Sequence, residues 1–306
     1  MATERKHLLY FLTTEPHPSP FDINMAYDAG FHAVIPYGGV TEESGGLLVQ
    51  DIIFSRGPKG TKFSAIFIGG NDVELAERVR QAAVKNMFPP FQVSMMIDPK
   101  GAYTTAVALV AKAEKALGEL KRKRVAIPGG TGPVGRVAAG LCANLGSEVL
   151  IGSRQLTAVE RLAHQLSEQT KGSVKGAVMA TDEEKIAQLR DADLILTTGK
   201  AGVQMISETV LKALPPGKLV ADVNAVPPTG IHGLSPNDNL KEIAAGIKGI
   251  GALAIGVLKY DVEMEMLETI RTSETFTVLD ENAALKIARR RSEEHTSELQ
   301  SRTLIS

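Results

Sequence analysis

Three glycines give the clearest chemical signal in this sequence. The segment Val125–Gly135 reads VAIPGGTGPVG, and its Gly130, Gly132 and Gly135 have the spacing G-x-G-x-x-G. Because this segment joins an apolar run to an Ala/Leu-rich stretch, the spacing indicates dinucleotide binding rather than a plain strand-to-helix turn. Glycines at these points permit a tight turn, a close approach of the backbone to a pyrophosphate, and close packing of helix on strand. The loop residues predicted to bind the dinucleotide are Gly129, Gly130, Thr131, Gly132, Pro133, Val134 and Gly135.

The strand after this loop indicates which dinucleotide binds. NAD sites usually place a carboxylate about 20 residues after the loop, where it accepts hydrogen bonds from the ribose 2′-hydroxyl, whereas NADP sites use an arginine. Here the run VLI ends in Gly152-Ser153-Arg154, without a carboxylate. The Arg154 guanidinium can form paired hydrogen bonds to a 2′-phosphate, and the Ser153 hydroxyl can add another. We predict NADP as the cofactor. Use of NAD stays open, because the choice depends on one arginine that could instead be an exposed helix-start residue.

Two later strand ends are predicted to border the nicotinamide. Ligands of open α/β sheets bind at the carboxyl ends of the strands. The runs LILTTG and KLVADVN end at such points, although each could equally be an ordinary turn. The residues assigned to this edge are Thr198, Gly199, Lys200, Ala201 and Asn224.

Apolar runs alternate with helical patterns along the chain. Strands are predicted in VAIP before the glycine loop and over His7–Thr13, Ala33–Pro36, Ser64–Gly70, Phe91–Asp98, Glu148–Arg154, Leu194–Gly199 and Lys218–Asn224. Helices are predicted over Phe21–Ala29, Asp72–Asn86, Tyr103–Leu120, Gly132–Leu145, Gln155–Thr170 and Lys259–Glu268. This alternation implies βαβ units and parallel sheets. The predicted fold class is α/β, with an N-terminal α/β domain and a Rossmann-type, doubly wound parallel-sheet domain that binds NADP.

Domain boundaries follow from this pattern. The N-terminal domain is predicted over residues 1–115, completed by C-terminal helices in 270–290, and the NADP-binding domain over 116–269. From Arg291 the chain reads RSEEHTSELQSRTLIS, unlike the Ala/Leu/Lys helix before it. Because this string resembles the in-frame translation of a common sequencing adapter, residues 291–306 are predicted to be a non-native tail.

Composition excludes several classes of protein. The chain has 34 Lys+Arg and 35 Asp+Glu, so it lacks the basic excess that nucleic-acid binding requires. Its one cysteine, Cys142, excludes a disulfide framework, and its histidines lack metal-ligand spacing, so no metal site is predicted. Without a signal-peptide pattern or an apolar run of membrane-spanning length, we expect a cytoplasmic protein with no membrane partner.

With these residues assembled, the chain resembles the NAD(P)-dependent methylene-tetrahydromethanopterin or methylene-tetrahydrofolate dehydrogenases of bacterial one-carbon metabolism. The matching segments occur in the family's order and lie in both halves of the chain. They are SPFDINMAYDAG (19–30), FIGGND (67–72), DPKGAYTTA (98–106), AIPGGTGPVG (126–135), IGSR (151–154), DVNAVPPTGI (222–231) and GALAIGVLK (251–259).

The resemblance implies a pterin-binding N-terminal domain, an NADP-binding domain and a homo-oligomeric enzyme. The implied reaction is reversible hydride transfer to NADP⁺ from the methylene bridge of a reduced C1 carrier, tetrahydromethanopterin or tetrahydrofolate. The methenyl product is a cation spread over two nitrogens. The chemistry therefore needs ring alignment and a suitable electrostatic environment more than a strong base.

The resemblance also assigns roles on the substrate side. It makes Lys259 the catalytic candidate, because a cationic head there could bond the pterin carbonyl or tune the charge near the reacting carbon. Lys259 could instead be a surface lysine that starts a helix, Asp22 could cap a helix, and Tyr27 could lie in the core. The implied substrate-binding residues are Asp22, Tyr27, Asp98, Thr104 and Thr105.

Two other kinds of NADP protein remain as alternatives. A shikimate- or quinate-type dehydrogenase shares the two-domain plan and the arginine, and a non-catalytic NADP sensor would need only the glycine loop. No tyrosine in the chain is followed four residues later by a lysine. This argues against short-chain dehydrogenase chemistry and against the second activity of bifunctional folate dehydrogenase/cyclohydrolases, since both depend on a Tyr-x-x-x-Lys pair.

Overall fold

A computed structural model of the chain describes residues 5–303, with side chains described through residue 294. The first elements are β1 (Leu8–Thr13), α1 (Pro20–Asp28), β2 (Ala33–Tyr37), α2 (Glu42–Arg56), β3 (Ser64–Gly69), α3 (Val73–Lys85), β4 (Ser94–Ile97) and α4 (Ala102–Leu117). They are followed by β5 (Arg124–Pro128), α5 (Pro133–Asn144), β6 (Glu148–Ser153), α6 (Leu156–Thr170), β7 (Ser173–Val178), α7 (Asp182–Leu189), β8 (Leu194–Thr197), α8 (Glu208–Ala213) and β9 (Leu219–Asp222). The last elements are β10 (Asn239–Ala244), β11 (Ile247–Ile250), α9 (Ala252–Thr272), β12 (Val278–Leu279) and α10 (Glu281–Thr303).

These elements form two compact units, each with its own sheet. The first comprises the described chain up to Thr104 together with Tyr260–Ile287, and the second comprises Thr105–Lys259 with the chain from Ala288 onward. The divisions at 104/105 and 259/260 fall inside α4 and α9, whereas the sequence predicted boundaries at 115/116 and 269/270. A division inside a continuous helix has no turn residues, so it leaves no local signal in the sequence.

The first unit is built on a five-stranded, all-parallel sheet with the order β12-β4-β3-β1-β2. Its strand β3 is buried along its whole length. The rings of Phe11 on β1 and Phe67 on β3 stack with their centroids 4.8 Å apart. A parallel sheet with buried apolar residues on both faces must be covered by helices on both faces, which is the reason strands and helices alternate here.

Helix α2 packs closely on α3 because it carries two glycines. A Cβ atom at Gly45 would lie 2.9 Å from Cγ1 of Val79, and one at Gly46 would lie 2.7 Å from Nδ2 of Asn86. Helix α3 begins as predicted, since the Asp72 carboxylate accepts hydrogen bonds from two backbone N–H groups of its first turn.

The second unit contains a seven-stranded sheet with the order β10-β11-β9-β8-β5-β6-β7, parallel except for the β10–β11 pair. Its parallel strands have the doubly wound Rossmann order, with the switch point between β5 and β8. The predicted α/β fold class with a Rossmann-type sheet is confirmed. Ligands of such a sheet bind beyond the carboxyl ends of the switch-point strands, which here are Pro128 and Thr197.

Two helices near the C-terminus differ from the prediction. Helix α9 begins at Ala252 rather than at Lys259, and Gly256 lies inside it. The predicted non-native tail, residues 291–306, lies partly outside the described residues, and α10 continues through it as far as Thr303 without ending at Arg291. Among the described residues, no helix is long and apolar enough to cross a membrane.

Candidate cofactor and substrate sites

The glycine loop of the second unit is held by backbone hydrogen bonds at the end of β5. The N–H groups of Gly129 and Gly130 both donate to the Gly152 carbonyl oxygen, over 3.0 and 3.2 Å. Gly129 has φ +73°, and a Cβ there would lie 2.8 Å from the Cα of Gly199. The loop therefore needs glycine at this position both for its backbone conformation and for the close approach of the loop that follows β8.

The three glycines of the motif have different surroundings. A Cβ at Gly130 would lie 2.7 Å from the carbonyl oxygen of Ile127, and one at Gly135 would lie 2.5 Å from both Gly130 Cα and Thr198 Oγ1. A Cβ at Gly132 would meet no atom nearer than 3.9 Å, and its φ of −75° is open to any residue. Protein packing thus explains Gly130 and Gly135 but not Gly132. The residues fit a dinucleotide, since Gly132 is the position at which the pyrophosphate must approach the backbone.

The start of helix α5 adds an anion-binding feature to the loop. Gly132 is its N-cap and Pro133 occupies the first turn, and no side chain caps the helix. The first N–H groups of a helix lack partners within it and carry partial positive charge. A phosphate at this end would accept hydrogen bonds that no side chain supplies.

Ser153 and Arg154 lie where β6 ends, beside the glycine loop. The Ser153 hydroxyl accepts a hydrogen bond of 3.2 Å from the backbone N–H of Gln155, the N-cap residue of α6. The Arg154 side chain is exposed. Gly152 precedes them in the strand, where a Cβ would collide with the Met179 sulfur at 2.3 Å.

The loop after β8 is attached to the glycine loop. Thr198 donates from its N–H to the Pro128 carbonyl, over 3.2 Å, and from its hydroxyl to the Gly129 carbonyl, over 3.3 Å.

The Met205 side chain lies against both loops, because a Cβ at Gly199 would be 2.6 Å from its sulfur and a Cβ at Gly129 would be 3.3 Å from its methyl carbon. Met205 was not among the residues predicted for this site. Lys200 and Ala201, also predicted here, are exposed.

A buried carboxylate organises the loop after β9. Asp222 accepts hydrogen bonds from the Thr197 hydroxyl at 2.8 Å, the Gly230 N–H at 2.6 Å and the Asn224 N–H at 3.1 Å. Burial raises the pKa of Asp222, although these hydrogen bonds oppose the shift. The predicted residue Asn224 bonds within its own loop, where its amide donates to the Pro228 carbonyl at 3.1 Å.

In the first unit, the predicted residues Asp98 and Thr104 are bonded to each other. The Thr104 hydroxyl donates to Oδ2 of Asp98 over 2.6 Å, and the N–H groups of Tyr103 and Thr104 donate to Oδ1. Asp98 is 1% exposed and Thr104 is fully buried. These contacts fix the N-terminus of α4 to the end of β4. Thr105, the next residue of α4, is half-buried.

Asp22, Tyr27 and Lys259 occupy different environments. Ser19 rather than Asp22 is the N-cap of α1, and Asp22 lies in the first turn, 7% exposed. Tyr27 is 50% exposed, so it is not a core residue. Lys259 is half-buried in the interior of α9 and does not start that helix.

The sequence predictions did not include the polar residues at the carboxyl ends of β1 and β3. Thr14 follows β1, and its Oγ1 atom is buried with no hydrogen-bond partner among the described residues. The neighbouring Glu15 accepts a hydrogen bond of 3.1 Å at Oε1 from the N–H of Asn71, which follows β3. Threonine and glutamate are common in loops, so no spacing pattern distinguished them.

Among the described residues, no group of three or more His, Cys, Asp or Glu side chains is placed to hold a metal ion.

Comparison with known proteins assigns the chain to a family. The family model described as methylene-tetrahydromethanopterin dehydrogenase, N-terminal, matches residues 20–100. The NAD(P)-dependent methylenetetrahydromethanopterin dehydrogenase of Methylorubrum extorquens is 40% identical over 292 residues, covering 92% of this chain and 98% of that protein. The chain belongs to this dehydrogenase family. The predicted resemblance is therefore confirmed.

Two further proteins extend the comparison. A second Methylorubrum extorquens protein, named bifunctional protein MdtA, is 35% identical over 255 residues and covers 83% of this chain and 88% of its own. The crystal structure of shikimate 5-dehydrogenase from Listeria monocytogenes in complex with shikimate and NAD has a TM-score of 0.55 at 14% identity, covering 88% of this chain and 98% of its own. At that identity the likeness shows a shared fold alone. This member of the methylene-tetrahydromethanopterin dehydrogenase family thus shares its fold with that shikimate 5-dehydrogenase.

Proposed function

We propose that this protein catalyses reversible hydride transfer from methylene-tetrahydromethanopterin to NADP⁺, giving the methenyl form of the carrier. The observation that carries the proposal is Gly132, the one glycine of the G-x-G-x-x-G motif whose place the protein's own packing does not require. It supports a dinucleotide at the loop. The substrate class is supported by the names of the family model and of the relative that is 40% identical.

Groups of the second unit would hold NADP. The backbone of Gly129–Gly135 and the N-terminus of α5 would bind the pyrophosphate, and Ser153 and Arg154 would bind the 2′-phosphate. When bound, the nicotinamide supplies the hydride acceptor. The residues proposed beside it are Thr198, Gly199, Lys200, Ala201 and Asn224.

The chemistry demands little proton transfer from the protein. The methylene carbon of the carrier lies between two nitrogens, and the positive charge left after hydride loss is shared by both. The protein must orient the carrier and provide surroundings that tolerate this change of charge. We propose Lys259 as the residue that bonds the pterin ring and tunes this charge.

On the carrier's side, the proposed contacts are Asp22, Tyr27 and Thr105. Asp98 and Thr104 are proposed to act through α4, whose first turn they fix by their mutual hydrogen bonds, and not by touching the carrier. Methylene-tetrahydrofolate is proposed as a second substrate, since the two carriers share the reacting core and differ in peripheral groups.

Reduction of NADP⁺ by the purified protein tests the proposal directly. Methylene-tetrahydromethanopterin and methylene-tetrahydrofolate are supplied separately, and the near-ultraviolet absorbance of NADPH is followed. Turnover with the first carrier is expected. Tight NADP⁺ binding without turnover on either carrier would refute the dehydrogenase and favour a sensor.

The variant Lys259→Ala tests the assigned residue. It should lower kcat, or raise KM for the carrier, by about tenfold or more, because a hydrogen bond from a charged group is lost. The Kd for NADP⁺ should stay near the wild-type value. Lys175→Ala, at an exposed position on β7, is the matched control. Wild-type kinetics in Lys259→Ala would return Lys259 to a structural role.

A further inference from the structure

The first unit has a topological switch point that the proposed contacts do not use. Its strand order β2-β1-β3-β4-β12 places the switch between β1 and β3, because the chain leaves β1 toward β2 on one side and later returns to β3 on the other. In open parallel sheets, ligands bind in the crevice beyond the carboxyl ends of such strands. In this unit the residues that follow those ends are Thr14 and Gly70.

Glu15 is held at this crevice by contacts with β1 and with the loops after β2 and β3. Its carbonyl oxygen accepts a hydrogen bond of 2.7 Å from Gly39, after β2, and its N–H donates to the Thr13 hydroxyl over 3.3 Å. Its Oε1 atom accepts the 3.1 Å bond from Asn71, after β3. Among the residues that the structure describes, Oε2 accepts no hydrogen bond. A carboxylate oxygen has two lone pairs, so this side chain retains most of its acceptor capacity.

Thr14, the residue before Glu15, carries an unsatisfied hydroxyl. Its Oγ1 atom is buried and has no hydrogen-bond partner within the described part of the chain. Gly70, at φ +139°, lies directly over it, and a Cβ on Gly70 would come within 2.0 Å of that oxygen. A buried hydroxyl without a partner costs free energy, so such groups are rare in folded proteins and each needs an explanation.

We propose that Glu15 binds the pyrimidinone ring of the reduced pterin, by accepting hydrogen bonds from its 2-amino group and its N3–H. These two donors lie side by side on the ring, which suits the two oxygens of a carboxylate. The Thr14 hydroxyl bonds a polar atom of the same ring. Asp98 is a poorer candidate for this role, because the N-terminus of α4 already uses both of its oxygens. The inference rests on the proposed function and assigns ring recognition within it.

The substitution Glu15→Gln tests this assignment. Glutamine can still accept the Asn71 N–H bond through its carbonyl oxygen, but its NH₂ group then meets the donor edge of the ring. We expect KM for methylene-tetrahydromethanopterin to rise about 10- to 100-fold, because a charge-assisted bond is lost. The Kd for NADP⁺ and the melting temperature should stay at the wild-type values. Glu43→Gln, at an exposed position in the first turn of α2, is the matched control.

Inhibitor binding separates ring recognition from a structural role. 6-Methyllumazine has an oxygen where 6-methylpterin has the 2-amino group. The wild-type protein should bind the pterin about tenfold more tightly, and Glu15→Gln should reduce or reverse this preference. Thr14→Val, which removes a hydroxyl without a partner, should weaken carrier binding roughly 3- to 10-fold without lowering the melting temperature.

The outcomes distinguish this inference from the proposed function. Unchanged KM and an unchanged preference between the two inhibitors in Glu15→Gln would overturn the inference, even if the wild-type protein turns over its carrier. Absence of turnover in the wild-type protein would overturn the proposed function. The inhibitor preference would then still decide whether Glu15 recognises the ring.

Discussion

The two units present different chemistry at the carboxyl edges of their sheets. At this edge of the second unit the glycine loop after β5 presents main chain, with Gly129, Gly130 and Gly135 packed so closely that a Cβ would collide. In the first unit the corresponding edge carries side chains, among them Glu15 and the Asp98–Thr104 pair. Backbone recognition requires glycine at fixed spacing, whereas side-chain recognition can use common residues at any loop position. The first kind is therefore visible in a sequence and the second is not.

Alanine substitutions in the glycine loop should have the largest effects. Gly135→Ala would place a methyl group 2.5 Å from Gly130 and Thr198, and should destabilise the protein by about 3 kcal/mol. Gly132→Ala meets no such atoms, so the fold should survive, whereas NADP⁺ affinity should fall about tenfold or more. Thermal denaturation and NADPH fluorescence titration measure the two effects.

These two variants serve as controls for each other. Gly135→Ala should lose stability, and Gly132→Ala should lose affinity for NADP⁺. If Gly132→Ala bound NADP⁺ like the wild-type protein, the open space at this glycine would have no connection with the cofactor.

Arg154→Asp tests a side chain of the second unit that follows the carboxyl end of β6. The variant should lose about 10- to 100-fold in its preference for NADP⁺ over NAD⁺, because a charge-assisted bond to the 2′-phosphate is replaced by repulsion. The ratio of kcat/KM for the two cofactors measures this change. Arg161→Asp, at an exposed position on α6, should leave the ratio unaltered. An unchanged ratio in Arg154→Asp would contradict the assignment.

Thr104→Val tests the first unit, where a hydrogen bond between two side chains, Thr104 and Asp98, holds the start of α4. Removing the hydroxyl takes a 2.6 Å bond from a buried carboxylate and should cost about 2 kcal/mol of stability, measured by urea unfolding. Thr104→Ser keeps the hydroxyl and should recover most of the loss. A large rise in KM for the carrier with no loss of stability would show that this pair binds substrate, as the family resemblance implies.

A smaller effect, on the pH dependence of stability, is expected from His7, which directly precedes β1 in the first sheet. Burial, followed by the nearby charge of Arg271, lowers the pKa of His7 from its usual 6.5. The unfolded chain then binds more protons than the folded one just below pH 6.5. The contribution of His7 to the free energy of unfolding is therefore fully present above that pH and is lost as the pH drops. His7→Gln should flatten this dependence in urea unfolding, and His164→Gln, at an exposed position, should not. An equal slope in His7→Gln and the wild-type protein would exclude His7 as its source.

Much of the fold could be predicted because apolar runs and turn residues agree locally. The structure confirms β1, β3, β6 and the helix after the glycine loop within one or two residues. It also contains α2, which the sequence did not predict. The glycines of this helix weaken the helical signal, yet they are required by close packing on α3. Helix α9 was predicted to start too late, because the glycines Gly251 and Gly256 weaken the helical pattern before Lys259, although Gly256 lies inside the helix.

Some residues of the candidate sites could likewise be predicted from the sequence, and others could not. Glycine spacing predicted the loop, and the missing carboxylate after β6 made NADP the expected cofactor. Met205 and Glu15 gave no signal, because their positions depend on loops that are distant in sequence and meet only in the folded chain. Asp98 and Thr104 were assigned from the family resemblance, whereas their hydrogen bonds at the start of α4 could be seen only in the structure.

Helix α5 also buries Cys142, the only cysteine of the chain. Burial raises the pKa of this thiol to about 12, so the reactive thiolate is essentially absent at neutral pH while the helix stays in place. An alkylating reagent can then modify the protein only when this part of the second unit opens. Because the same helix begins at the glycine loop, a dinucleotide bound there should slow the modification by stabilising the closed form. The rate of thiol labelling would thus report cofactor occupancy in a protein that is not turning over.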